Sequence, residues 1–217
     1  PDHVWDRFIL RKMLFLWLAL CAQVLAAPCP NLGAFQTSNS GIVNSYYRAP
    51  TVASLTVVPA GSTSITFNST NPRGNVAAVP IQPGQQILII QMQGAKFVTS
   101  NTVLYGESDQ SGSCYLHDDG NNVAGNYEFN VVAAVSGGVI TLTSPSLNSY
   151  YNGPATATQA RMVYQIIAVP RYNPALPVAL SGTVTAAPWD GFTGGVVVIF
   201  HPNAVTMSGA TVDGETK

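Results

Sequence analysis

The chain has 217 residues, 47% of them hydrophobic and only 9% charged, with a formal net charge of −1. Nine basic side chains in such a length neither neutralise a run of phosphates nor form a polybasic lipid-binding patch, which excludes nucleic-acid binding and electrostatic membrane docking. The apolar content excludes a disordered chain. With charges far below the ~25% of an average soluble domain, Ser, Thr, Asn and Gln supply the surface polarity, a mix suited to secreted β-rich proteins.

In chain order, the first predicted element is an export signal. Arg11-Lys12 is a basic n-region, Met13 to Ala22 an apolar core, and Val24 and Ala26 are the small residues ahead of a cut before Ala27. The apolar core is too short for the ~20 residues a membrane helix needs. An uncleaved anchor or a lipoprotein is the alternative, although Leu20 is bulky where the box before Cys21 requires a small residue. The chain starts at Pro1 and stops at Lys217 without a closing element, so it reads as a fragment whose start codon lies upstream.

Cleavage leaves 191 residues in an oxidising space, with three of the nine basic and two of the ten acidic side chains removed. Cys29 and Cys114 then remain, and they are either a disulfide worth about 3–5 kcal/mol by loop closure or two unrelated thiols.

Residues 27–50 read as an extended, Asn/Ser/Gly-rich arm. Short β-like runs follow: Leu55–Val58, Ser64–Phe67 and Val76–Val79, each ended by turn chemistry such as Pro83-Gly84. Gln86–Met92 is apolar on both alternations and is predicted to be a central strand covered on both faces. Residues 94–126 form a long polar loop. Tyr127–Val135 alternates, placing Tyr127, Phe129, Val131, Ala133 and Val135 on one face. Ser136-Gly137-Gly138 turns it into Val139–Thr143 as a hairpin. Arg161–Val169 is a further strand, stopped by Pro170.

Beyond the Pro-rich link 170–177 the runs become shorter and closer: Thr183–Ala186, Gly195–Phe200, Ala204–Met207 and Ala210–Val212. Such spacing suits the rungs of a β-solenoid, each stacked on the last. The competing reading makes them the last strands of the preceding sandwich. The expected fold is therefore all-β: an antiparallel sandwich or barrel over 51–172, followed over 178–217 by the start of a solenoid-like segment.

Chemistry-bearing residues are few. The acidic loop holds Glu107, Asp109, His117, Asp118 and Asp119 among glycines and asparagines, and Asp109, Asp118 and Asp119 are candidate calcium ligands. The spacing matches no EF-hand, and a solvated loop of Asx turns competes. His117 near Ser113 and Cys114 lacks a nucleophile elbow. The acids outside the loop, Glu128, Asp190, Asp213 and Glu215, show no pairing of the glycosidase kind. No catalytic constellation emerges, and no cofactor other than calcium is implied. Trp189 and the pair Tyr150-Tyr151 are candidate sugar-stacking residues, against a reading in which they order loops or cap the core.

Several phrases in one order carry a family resemblance: Ile87-Leu88-Ile89-Ile90-Gln91-Met92-Gln93-Gly94-Ala95, Tyr105-Gly106-Glu107, Gly125-Asn126-Tyr127-Glu128-Phe129, Ala187-Pro188-Trp189-Asp190-Gly191-Phe192-Thr193-Gly194-Gly195-Val196 and Ser208-Gly209-Ala210-Thr211-Val212-Asp213. Together they resemble the N-terminal region of large secreted bacterial surface proteins of adhesin-like or gliding-motility type, over about residues 50–213. The resemblance implies a Gly-rich solenoid continuing after Asp213, where Gly214–Lys217 departs from it, and it supplies no catalytic residues. The expected role is a non-enzymatic structural or adhesive module at the cell surface, with cell-envelope, matrix or polysaccharide partners. A carbohydrate-binding module, or the non-catalytic start of a polysaccharide-degrading β-helix enzyme, is the alternative.

Overall fold

The computed structural model describes residues 35, 40–95, 123–157, 160–207 and 209–213. The export signal, Cys29, Cys114 and the candidate calcium ligands Asp109, Asp118 and Asp119 lie outside the described residues. Among the described residues there are strands and no helix. In chain order they are β1 (Gly41–Ile42), β2 (Ser45–Arg48), β3 (Thr56–Val58), β4 (Ser64–Thr66), β5 (Arg73–Gly74), β6 (Gln86–Gln93) and β7 (Tyr127–Ser136). After them come β8 (Val139–Leu142), β9 (Tyr150–Asn152), β10 (Val163–Ala168), β11 (Val178–Leu180), β12 (Thr183–Thr185), β13 (Val205–Met207) and β14 (Thr211–Asp213).

The apolar run of β6 lies at the centre of a seven-stranded antiparallel sheet of order β4-β8-β7-β6-β10-β2-β5. Its two alternations face two different cores, as the sequence requires. Ile87 and Ile89 join Ile166, Ile140 and Tyr164 on one side of the sheet. Leu88 joins Tyr46, Ile167 and Val169 on the other, beneath Ala186, Ala187 and Val198. Each fully buried branched side chain contributes about 1.5–3 kcal/mol, so β6 and β10 carry much of the hydrophobic stabilisation. The sheet curls until the Tyr164 hydroxyl on β10 donates to the Thr66 carbonyl at 2.7 Å. The curl makes a sandwich-like layer and does not close into a barrel.

The hairpin β7–β8 forms around Gly137-Gly138, and a bulge between Val132 and Ala134 shifts its register. That bulge corrects the simple alternation: Val135 packs against the core, on the side opposite the exposed Tyr127 and Phe129. The buried side of β7 carries Glu128, Asn130 and Val132. Polar residues face inward there because the loop 144–148 crosses them and takes their hydrogen bonds.

The last strands are parallel. β11 pairs with β13 as Val178↔Val205 to Leu180↔Met207, and β12 pairs with β14 as Thr183↔Thr211 to Thr185↔Asp213. β1 adds to the other edge of β12, with Gly41 opposite Val184. Three strands thus stack in one direction, joined without a helix among the described residues, as in the start of a solenoid-like segment. Their shared core is Val43, Tyr172, Val178, Leu180 and Val184. Gly41, Gly182 and Gly209, each preceded by Ser in the sequence, all take left-handed φ values of 68°, 60° and 69°. A side chain at those corners would strain the backbone.

Three local expectations change. Val76–Val79 is a turn, closed by the Val79 N–H donating to the Asn75 carbonyl at 2.8 Å, and forms no strand. Gly195–Phe200 reads as a strong β run but has no strand partner, because side chains take its backbone bonds. Within 27–50, β1 and β2 are integral strands of the two sheets they join.

Candidate ligand-binding surface

The segment 186–200 crosses the sheet as a strap, and buried amides on the sheet grip it. Gln165 on β10 donates to the Gly194 carbonyl at 3.0 Å and accepts the Gly194 N–H at 2.9 Å. Asn44, just before β2, treats Val198 likewise, donating at 2.8 Å and accepting at 2.8 Å. The Tyr46 hydroxyl donates to the Val196 carbonyl at 2.8 Å. Burial pushes that hydroxyl up to about 12, against the opposing pull of the Ala187 backbone and Arg73. A carboxamide that meets one peptide in both directions stands in for a neighbouring strand at Gly194 and Val198.

The same device recurs on the opposite side. Gln91 donates to the Tyr151 carbonyl and accepts its N–H, both at 2.8 Å. Glu128 accepts the N–H groups of Leu147 at 2.6 Å and Asn148 at 3.0 Å.

The strap presents Trp189, half-buried, in a turn organised by Asp190. Asp190 Oδ1 accepts the N–H groups of Phe192 and Thr193 at 2.9 and 2.8 Å, and Oδ2 pairs with Arg73 at 3.0 Å. Partial burial would raise its pKa, but those N–H donors and Arg73 outweigh it and hold the carboxyl below its ordinary value. Phe192 lies within cation–π reach of two guanidinium groups, Arg48 at 5.3 Å and Arg161 at 4.9 Å from its ring centroid. The hydrogen bonds and ring contacts of the turn are thus largely internal.

The two tyrosines paired with Trp189 in the sequence reading fall elsewhere. Tyr150 is 0% exposed, edge-on to Tyr164, with its hydroxyl toward the Ile89 carbonyl. Burial, and then the Glu128 carboxylate, push its pKa upward. It is a core residue and offers no ring to a ligand. Tyr151 is half-buried on β9 with its backbone held by Gln91. The structure therefore does not bring Trp189, Tyr150 and Tyr151 into one described cluster.

A different set of rings faces solvent. On β7, Tyr127 and Phe129 are 61% and 45% exposed, and Phe200 at the end of the strap is 49% exposed beside them. Phe129 and Phe200 have centroids 6.1 Å apart at 44°. Next to them opens a cleft of ≈ 350 Å³ bordered by Val131, Gln86, Pro170, Tyr172, Phe35 and Phe200. Arg171 covers the Phe35 ring at 4.8 Å. His201 at the rim has both ring nitrogens engaged, Nε2 with the Asn173 carbonyl at 3.0 Å and Nδ1 with the Asn203 N–H at 3.2 Å. The sequence signal was the alternation of β7. It put Tyr127 and Phe129 on one face without showing that the strap covers β2, β10 and β6 and reaches β7 only through Phe200. Among the described residues no group of three or more His, Cys, Asp or Glu is placed to hold a metal ion.

No protein-family profile matches the chain, and no curated protein matches it. Two solved structures to which it is similar are phage tailspikes. The Gp54 tailspike of Acinetobacter baumannii bacteriophage AP22, in complex with A. baumannii capsular saccharide, is 17% identical over 65% of this chain, with a TM-score of 0.29. The tailspike protein gp49 from Pseudomonas phage LKA1 is 22% identical over 67% of this chain, with a TM-score of 0.30. The match covers 17% of either tailspike.

Proposed function

We propose that this chain is a non-enzymatic structural and attachment module of an exported surface protein, in which the antiparallel sheet starts and caps a β-solenoid. The carrying observation is the parallel ladder β1-β12-β14 together with the strap that covers β2, β10 and β6 on the sheet's second face. A solenoid needs a first rung whose outer edge is covered. Here β1 covers β12, and β2 continues directly from β1 into the sheet. Export is supported by the Arg11–Ala27 signal and by a surface built from neutral polar groups.

The capping role is tested with the cleaved chain, in which Trp189 is the one remaining tryptophan. Its fluorescence reports the strap, and far-ultraviolet circular dichroism reports the sheet. Coincident unfolding transitions are expected, because the strap bonds join both parts into one cooperative unit. Separate transitions would contradict the proposal.

A further inference from the structure

The turn of the strap gathers arginines from three separate parts of the chain. Arg73 is committed there: its Nη1 donates to the Pro188 and Thr193 carbonyls at 2.8 and 3.2 Å and lies 3.0 Å from Asp190 Oδ2. Arg48, at the end of β2, and Arg161, just before β10, instead converge on the Phe192 ring, at 5.3 and 4.9 Å from its centroid. Those distances keep the two guanidinium carbons within about 10 Å of each other, close to the Debye length at ordinary salt. Neither has an acidic partner among the described residues, since Asp190 is taken by Arg73 and by the Phe192 and Thr193 N–H groups. Arg48 is also short of acceptors: its buried Nε has no hydrogen-bond partner among the described residues, and Nη2 reaches Thr51 Oγ1 only at 3.4 Å. Like charges held around one ring repel each other, and a bound anion relieves that repulsion.

We propose that Arg48 and Arg161 form a binding site for an oxyanion group of a ligand, a carboxylate, sulfate or phosphate. Guanidinium forks match such groups with paired, charge-assisted N–H···O⁻ bonds. Phe192 is the platform that holds both guanidinium groups ready, and Asp190 in turn fixes Phe192 by accepting its N–H at 2.9 Å. Arg48 is half-buried and Arg161 exposed, so one guanidinium is held in place and the other can close on a bound group. The charge count selects the ligand. Two uncompensated guanidinium groups are too few to track a nucleic-acid backbone or to hold an anionic membrane, and they suit a single acidic group. The capping role draws on the strap's amide bonds and apolar contacts and uses neither guanidinium, so the site goes beyond the proposed function and does not rest on it.

The test titrates the full chain with phosphate, sulfate and acetate, at an ionic strength held constant with chloride, and follows the arginine Nε–Hε nuclear magnetic resonances. Arg48 and Arg161 should shift together and saturate in the millimolar range with at least one of the three anions. Arg73, already paired with Asp190, should stay in place. The relative affinities of the three anions identify the acidic group that the site takes. Arg161→Gln should weaken binding about tenfold. Arg161→Lys, which keeps the charge but loses the fork, should weaken it less. Arg161 is exposed, so the melting temperature of both variants should match the parent. Absence of saturation with all three anions, equal shifts at Arg73, or unchanged binding in Arg161→Gln overturns the site. The parent titration decides on its own if a variant fails to fold. Each of these outcomes leaves the unfolding test of the capping role standing.

Discussion

Thr183 and Thr211 stand one above the other on successive rungs, their hydroxyl oxygens 3.2 Å apart, with the Thr211 N–H donating to the Gly182 carbonyl at 2.9 Å. Stacking of identical residues at one rung position is the local mark of a repeating coil. It links the Ser181-Gly182-Thr183-Val184 and Ser208-Gly209-Ala210-Thr211-Val212 phrases as copies of one corner, with Ala210 as an added residue.

The strap depends on the amides beneath it. Gln165→Leu leaves the Gly194 N–H and carbonyl unpaired in a buried place and should cost about 2–3 kcal/mol in denaturant unfolding. Asn44→Ala should cost a similar amount through Val198. The double variant should lose less than the sum, because both grip one segment.

Gly194 has φ 102°, and a Cβ there would collide with the carbonyl oxygens of Ala187 and Pro188. Gly194→Ala should therefore destabilise by about 2 kcal/mol or more. Trp189 fluorescence and the sheet signal should still be lost together, at a lower denaturant concentration than in the parent.

Alkaline pH should unfold the protein cooperatively. Burial raises Tyr46 and Tyr164 from an ordinary 10.0 to about 12 each. The folded state then holds protons that the unfolded chain releases, so this stability is complete below pH 10 and is lost as the pH rises through the interval to 12. Tyrosinate absorbance from these residues should appear together with unfolding. A simple titration at the ordinary tyrosine value, with the fold intact, would contradict their burial.

Asp190 works in the opposite sense. Its lowered pKa stabilises the fold above the ordinary carboxylate value of 3.8, and that contribution is lost as the pH falls through the lowered value. The Arg73 and Asp190 side chains are 32% and 41% exposed, so solvent screening limits the ion pair to about 1 kcal/mol. Asp190→Asn keeps an oxygen for the Phe192 and Thr193 N–H groups. It should cost less than Asp190→Ala, and it should flatten the acid limb of the stability profile.

What the sequence made legible follows the range of each signal. β6 was readable because Ile87 to Ile90 leave no polar face, and β7–β8 because Ser136-Gly137-Gly138 sits between two apolar runs. The close spacing of the last strands announced the rungs. Pairing across distance was not readable: nothing local joins β2 to β10, and the strap's apolar Val196-Val197-Val198 looks like a strand until Asn44 and Tyr46 occupy its hydrogen bonds. Tyr150 is buried and Phe129 exposed for the same reason. Burial was decided by the loop over Glu128 and by the end of the strap, both tertiary events.

The central claim is that the chain ends its sheet in parallel, ascending rungs, and backbone nuclear Overhauser contacts test it most directly. The account predicts contacts between Thr183 and Thr211, Val184 and Val212, and Thr185 and Asp213, with Gly41 opposite Val184 on the other edge. Contacts in the reversed order, Thr183 with Asp213 and Thr185 with Thr211, would mean an antiparallel continuation of the sandwich and would contradict it.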